Sequence, residues 1–348
     1  MTDERRPHPV VELTLMRLRE MGREPGVLFW TFGFPVLLAI ALGIAFRARG
    51  PEPVVVAALP GVSAEVHRSL AAAAVQVKDL DGASAARELR SGRVSLLVLP
   101  PDGSGKLGLR YDPARAEARM ARATVNQALQ RAAGQTEPQP VADHEVHEPG
   151  SRYIDFLIPG LLAMNLMSGS MWGVAWIIVH MRTRKLLKRL LAAPMRRRHL
   201  LYSLGLARLL IIPLEVIFVL LFARIFFSVQ VAGSYLALFA VAVAGSASFA
   251  SIAIAVASRA QNTETVSGLM NLIMMPMFIT SGVFFAWSNF PESLQPAIRA
   301  LPLTAMCDGM RAVMIDGAGL LSVLPSLLIL ALWGVPAFVL GLRYFRWT

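Results

Sequence analysis

Apolar residues in this chain collect into six long runs separated by shorter polar stretches. The runs cover residues 27–46, about 156–180, 200–227, 233–257, 266–287 and 320–342. A bilayer core about 30 Å thick takes a helix of roughly 20 apolar residues, and each run reaches that length. In lipid the backbone polar groups must be satisfied within the segment, so all six are predicted as transmembrane helices. Residues 1–26 precede the first run. Within them, residues 9–23 set Val10, Leu13, Met16 and Met21 among Glu12, Arg17, Arg19 and Arg23, the pattern of an amphipathic helix lying on a membrane surface. The first run is longer than the apolar core of a signal peptide, which marks it as an uncleaved helix.

The pattern changes between the first and second runs. Residues 54–59, 75–80 and 94–99 are short valine-rich apolar runs and are predicted as strands, with a further strand at 106–111. Residues 63–74 and 84–90 read as helices between them, with Ser63 and Ser84 as N-caps. Asp112-Pro113 is expected to open a helix reaching about Ala133, with the aspartate as cap and the proline at the first helical position. Gly134, Pro138, Pro140 and Pro149 make 134–150 a linker. The fold class predicted is an α-helical polytopic membrane protein of six helices, with a small α/β extracytoplasmic domain in 47–155 and a five-helix transmembrane domain in 156–348. Residues 288–318 are too polar to span. Pro291, Pro296 and Pro302 break them into short helices, expected at 293–300 and 304–315 in the outer leaflet.

Charge orients this arrangement. Only 16% of the residues are charged, against roughly 25% in soluble proteins, and 55% are hydrophobic. Such a chain is too apolar for disorder, and its single cysteine, Cys307, excludes a disulfide scaffold. The net charge of +11 would suit nucleic acid, but most of it sits in residues 181–199. Arg182, Arg184, Lys185, Lys188, Arg189, Arg196, Arg197 and Arg198 lie there without an acid. Loops rich in Lys and Arg stay in the cytoplasm, so this loop and both termini are predicted to be cytoplasmic. Residues 47–155 hold 14 basic and 13 acidic residues, a balance that no nucleic-acid surface shows. No nucleic-acid partner is expected.

Two local patterns imitate ligand sites. Gly103-Ser104-Gly105-Lys106 resembles part of a phosphate loop, but Pro100 and Leu107 stand where that motif needs Gly and Ser or Thr. Asp143-His144-Glu145-Val146-His147-Glu148 offers metal-type ligands, but a polar linker with two histidines is the commoner explanation. No nucleophile-and-base set and no dense His/Asp cluster stands at a membrane surface. The sequence therefore predicts a transport subunit with no catalytic residue, no metal and no cofactor of its own. A receptor using the outer domain as sensor is the alternative, and it lacks a cytoplasmic output domain.

Several stretches resemble the type-2 ABC exporter permease family. They are Tyr153-Ile-Asp-Phe-Leu-Ile-Pro-Gly160 followed by Met164-Asn165-Leu166-Met167, the basic loop from Arg184 to Pro194, Ser267-Gly-Leu-Met-Asn271, Ser281-Gly-Val-Phe-Phe285, and Leu301-Pro-Leu-Thr304 with Asp308 and Arg311 after it. The long first outer loop is similar to that of members exporting drugs or other hydrophobic compounds. The resemblance implies a bacterial inner-membrane dimer of permeases, of identical or related chains. It also implies cytoplasmic ABC ATPase subunits that bind the ATP and drive alternating access for a small-molecule substrate.

In that family a short cytoplasmic helix after the second membrane helix docks on the ATPase. By resemblance it covers residues 183–193, with Arg184, Lys185, Leu186, Leu187, Leu190, Leu191 and the terminating Pro194 as the coupling residues. The four leucines form one apolar stripe, which suits either docking on the ATPase or contact with membrane lipid. The family often has Glu and Gly where this chain has His180-Met181-Arg182-Thr183. By resemblance, too, the second and fifth helices approach the translocation path, which makes Met164, Asn165, Met167, Ser168, Asn271, Met274 and Met275 its candidate lining. Methionine gives adaptable apolar surface, although buried helix packing would use the same residues. Glu215 lies near the middle of the third run. Arg208 is seven residues earlier on about the same face, roughly 10 Å away. A charge at that depth faces a cavity or another protein group, so Glu215 is either a substrate- or proton-facing carboxylate or a polar contact between helices.

Overall fold

The computed structural model describes residues 9–45, 54–103, 105–135, 152–185 and 197–345, in two compact units divided near residues 47 and 147. In chain order, α1 is Pro9–Arg23, α2 is Pro25–Ala45, α3 is Ala64–Ala72, α4 is Gly82–Ser91 and α5 is Ala116–Ala132. Then follow α6 Tyr153–Thr183, α7 Arg197–Phe227, α8 Tyr235–Ala257, α9 Thr263–Thr280, α10 Gln295–Arg299, α11 Pro302–Met314 and α12 Leu324–Tyr344. The strands are β1 Val55–Ala58, β2 Gln76–Asp79, β3 Leu96–Leu99 and β4 Gly108–Arg110.

The smaller unit is a sheet in the order β2-β1-β3-β4, parallel except for β4, which runs antiparallel to β3. Side chains along a strand alternate between faces, and here both faces are covered. Val56, Leu96 and Val98 pack with Leu70 of α3 and with Ala121, Val125 and Ala128 of α5. Ala57 and Leu97 point the other way and pack with Ala85 of α4. Two helix starts differ from the sequence expectation. The cap of α4 is Asp81, whose carboxylate accepts the Ser84 N–H at 3.3 Å, so the helix begins before Ser84. Asp112 accepts the Ala114 N–H at 3.0 Å and holds a turn, which delays α5 to Ala116. Of the Gly103–Lys106 stretch, Ser104 lies outside the described residues; the Gly105 and Lys106 N–H groups both donate to Asp102, so these amides are already occupied.

The larger unit is a helical bundle. Among the described residues, five helices are long and apolar enough to cross a membrane: α2, α6, the Gly205–Phe227 part of α7, α8 and α12. The expected span at 266–287 is the exception. Helix α9 begins earlier, at Thr263, and stops at Thr280, where Gly282 turns the chain at φ +81°. It is 18 residues long, about 27 Å, and less apolar than the other five. Residues after it form short helices, with Pro302 at the start of α11, where its missing N–H costs nothing. Helix α6, about 46 Å long, is the most enclosed, and Leu157, Ile158, Leu161, Leu162, Leu166 and Met167 are fully buried. The surfaces of α7 and α12 expose Leu210, Leu214, Ile217, Leu221, Leu328 and Leu332, as lipid-facing helices do.

Small residues set a close approach between α8 and α12. A Cβ on Gly334 would stand 3.0 Å from Ser248 Cα, and one on Gly341 would stand 2.9 Å from Ile254 Cγ2 and 3.1 Å from the Ala255 nitrogen. The two glycines are two turns apart on one face, so the helices meet backbone to backbone. Replacing Gly334 by leucine is expected to destabilise the detergent-solubilised protein by about 1–3 kcal/mol, read as a lower thermal midpoint. Gly173 has open space beside it, and Gly173→Leu is the matched control with little effect.

In the smaller unit the two ring nitrogens of His67 meet the Ser63 carbonyl at 3.0 Å and Asp79 Oδ1 at 2.8 Å. These contacts, the carbonyl first and the carboxylate second, raise the His67 pKa above 6.5. Stabilisation from a raised pKa is complete below the unfolded value and is lost as pH climbs through the folded one. Asp79→Asn is expected to move the NMR-observed His67 titration down toward 6.5. It should also remove the part of this unit's stability that disappears on that climb.

Candidate functional site: buried charges of the helical unit

Helix α7 carries two charges into the apolar interior, and the fold pairs them. Arg208 donates to both carboxylate oxygens of Glu215, at 2.7 and 2.9 Å. The pair is direct, whereas the sequence suggested groups 10 Å apart, because both long side chains reach along the helix toward each other. Arg208 Nε also donates to Ser170 Oγ at 3.0 Å, and a second nitrogen donates to the Leu166 carbonyl at 3.1 Å. Gly169 makes room, since a Cβ there would lie 2.9 Å from the guanidinium. The arginine side chain is 10% exposed and the glutamate 1%. A planar fork of five N–H donors satisfies a carboxylate and two helix groups at once, which a lysine cannot. The chemistry available is cross-linking of α6 to α7, with neither Glu215 oxygen left over.

A second cluster lies where the N-terminal end of α6 meets the C-terminal end of α9. Arg311 of α11 donates to the Phe156 carbonyl at 3.3 Å and to the Gly282 carbonyl, and stands 3.7 Å from the centre of the Phe156 ring. Asp308 is 3.8 Å from it and accepts from Trp287 Nε1 at 3.2 Å, while Arg299 lies over the same indole. Tyr153 OH donates to the Phe284 carbonyl. Helices α6 and α11 and the turn after α9 are thus held together by groups from three separate stretches of sequence.

The sequence-predicted path residues divide. Met164, Asn165, Met167 and Met274 are buried within the chain. Asn165 donates to the Thr31 carbonyl at 3.1 Å, in the π-helical stretch Phe29–Gly33 of α2, where wider winding offers a carbonyl sideways. Ser168 is half-buried. Asn271 and Met275 are exposed on α9, in line with Leu272 and Ile279. Ser168 apart, these residues therefore divide between the buried interior and the exposed face of α9. Of the coupling residues, Arg184 and Lys185 are exposed just beyond α6, while Leu186, Leu187, Leu190, Leu191 and Pro194 lie outside the described residues. The Asp143–Glu148 cluster lies outside them as well. Among the described residues no three His, Cys, Asp or Glu side chains converge as metal ligands. Arg311 had a visible signal, as a lone cation between apolar neighbours, but its acceptors are main-chain carbonyls that no side-chain pattern reveals.

This is the architecture of a multi-pass helical membrane protein that carries an appended α/β unit. The sequence model for ABC-2 family transporter proteins matches residues 25–343, and the chain belongs to that family. No curated protein matches it in sequence. The family comprises membrane subunits of transporters that work with ATP-binding partners.

Removing one partner of a buried ion pair strands the other charge, at about 3–5 kcal/mol, whereas replacing both with apolar groups is close to neutral. Glu215→Gln is expected to lower the thermal midpoint sharply, and the Arg208→Met/Glu215→Leu double variant to recover most of the loss. The double-mutant cycle measures the coupling directly.

Proposed function

We propose that this chain is the permease subunit of an exporter that moves a hydrophobic or amphipathic compound outward by alternating access. On this reading two such chains, identical or related, pair in a bacterial inner membrane, and separate ATPase subunits bind the ATP. Helix α9 counts as the sixth span. Both termini and residues 181–199 lie in the cytoplasm, and the α/β unit lies outside.

The observation that carries the reading is the concentration of eight positive charges in residues 181–199, directly after the most enclosed helix of the bundle, in a chain of this family. Such a loop is held on the cytoplasmic side, where an ATPase works. Arg184 and Lys185 are exposed there, and in the sequence Leu186, Leu187, Leu190 and Leu191 recur at a helical spacing that suits docking. For the substrate, support comes from α9. Its exposed Asn271, Leu272, Met275 and Ile279 offer polarizable apolar surface with one amide. We assign Asn271, Met275 and the half-buried Ser168 to the path. Met164, Asn165, Met167, Met274 and Glu215 stand behind it as supporting packing.

The test is co-purification of the tagged chain with an ABC ATPase from the same cells. A stable complex is expected whose ATP hydrolysis responds to candidate hydrophobic compounds. Arg184→Glu/Lys185→Glu should weaken ATPase binding about tenfold or more, since like charges then oppose each other at the contact. A chain that captures no ATPase, and whose deletion alters no export, refutes the reading.

A further inference from the structure

Arg182 sits in the last turn of α6, one residue before that helix ends. Its side chain reaches across to the C-terminal end of α8. It donates to the Ala257 carbonyl at 2.9 Å, to the Ser258 carbonyl at 3.2 Å and to the Ala260 carbonyl. Its guanidinium also lies 5.6 Å from the ring centre of Phe345, the residue that follows α12. A helix C-terminus leaves its last carbonyls without partners and carries partial negative charge, so a guanidinium there is both donor and counter-charge. The contact joins residues 75 to 78 positions apart, with the whole of α7 between them in sequence. Helices α8 and α12 meet backbone to backbone at Gly334 and Gly341, so whatever holds the end of α8 also holds α12.

We propose that Arg182 is a positioning residue for transport: it links the basic segment after α6 to the α8–α12 pair, so that displacement of that segment by the ATPase moves the pair. This rests on the reading of residues 181–199 as the coupling segment. A simple cap on α8 would need any donor near those carbonyls. Arg182 instead supplies three bonds from the final turn before the segment, where α6 has run past the apolar core of the membrane. The planar fork spreads these bonds over two separate nitrogens in a fixed geometry, whereas an ammonium presents its three donors from a single point.

The test uses the complete complex with the co-purified ATPase. Cys307 is the sole native cysteine and is buried, so single reporter cysteines can be labelled selectively. An environment-sensitive fluorophore goes on Thr183→Cys, at the start of the segment, or on Leu340→Cys, exposed on α12. Each sample is then trapped with ATP and vanadate. In the parent protein both labels are expected to respond. In Arg182→Gln the Thr183 label should respond as before and ATPase binding should be unchanged, while the Leu340 response falls about tenfold. Arg182→Lys, which keeps the charge but gathers its three donors at one point, should fall between. An undiminished Leu340 response in Arg182→Gln overturns the link. If Arg182→Gln does not assemble, Arg182→Lys decides, and a full response there overturns it. Silence at Thr183 in the parent protein, with ATPase bound, refutes the coupling reading itself, and the proposal falls with it.

Discussion

A guanidinium inside an apolar bundle must find its partners in the protein, because lipid offers none. Helix α6 is where this constraint is met. Arg311 takes the Phe156 carbonyl near its start, Arg208 takes the Leu166 carbonyl and Ser170 in its middle, and Arg182 leaves its last turn for the end of α8. At each level a different neighbour is bound. Apolar packing between these helices is weakly specific, since lipid chains are as apolar as leucine. The charged contacts therefore fix which helix lies against which, and at what height.

Glycine and serine complete the arrangement. The guanidinium of Arg208 lies 2.9 Å from where a Cβ on Gly169 would stand, and α12 approaches α8 through Gly334 and Gly341. A rigid pair beside a long central helix is suited to passing on a displacement, because close-packed elements shift between discrete positions rather than bending gradually. The exposed strip of α9, by contrast, has no polar anchor of this kind at Leu272, Met275 and Ile279.

Periodicity and local chemistry were legible wherever the deciding contacts lie within a few residues. The apolar runs at 233–257 and 320–342 became α8 and α12 with no end displaced by more than four residues, because span length and hydropathy are local properties. The valine runs at 54–59 and 94–99 became β1 and β3 for the same reason. Competing caps were not resolved so well. Asp81 outcompeted Ser84, and Asp112 made a turn rather than a cap, since a carboxylate one or two positions away can satisfy the same N–H groups. The end of α9 was misjudged because Ser281-Gly-Val-Phe-Phe285 is apolar enough to continue a span, yet Gly282 takes a positive φ held by Arg311 from α11.

The sequence by itself determined that this chain is a helical membrane protein, where its charge is concentrated and which residues are costly to bury. Those follow from transfer of each side chain between water and lipid, which depends on composition over short windows. Only the tertiary structure decided that Arg208 meets Glu215 directly, that Arg311 reads the carbonyls of Phe156 and Gly282, and that Arg182 spans from α6 to α8. Main-chain carbonyls are the same at every position of a sequence. Which of them an arginine reaches is fixed only when the helices are stacked.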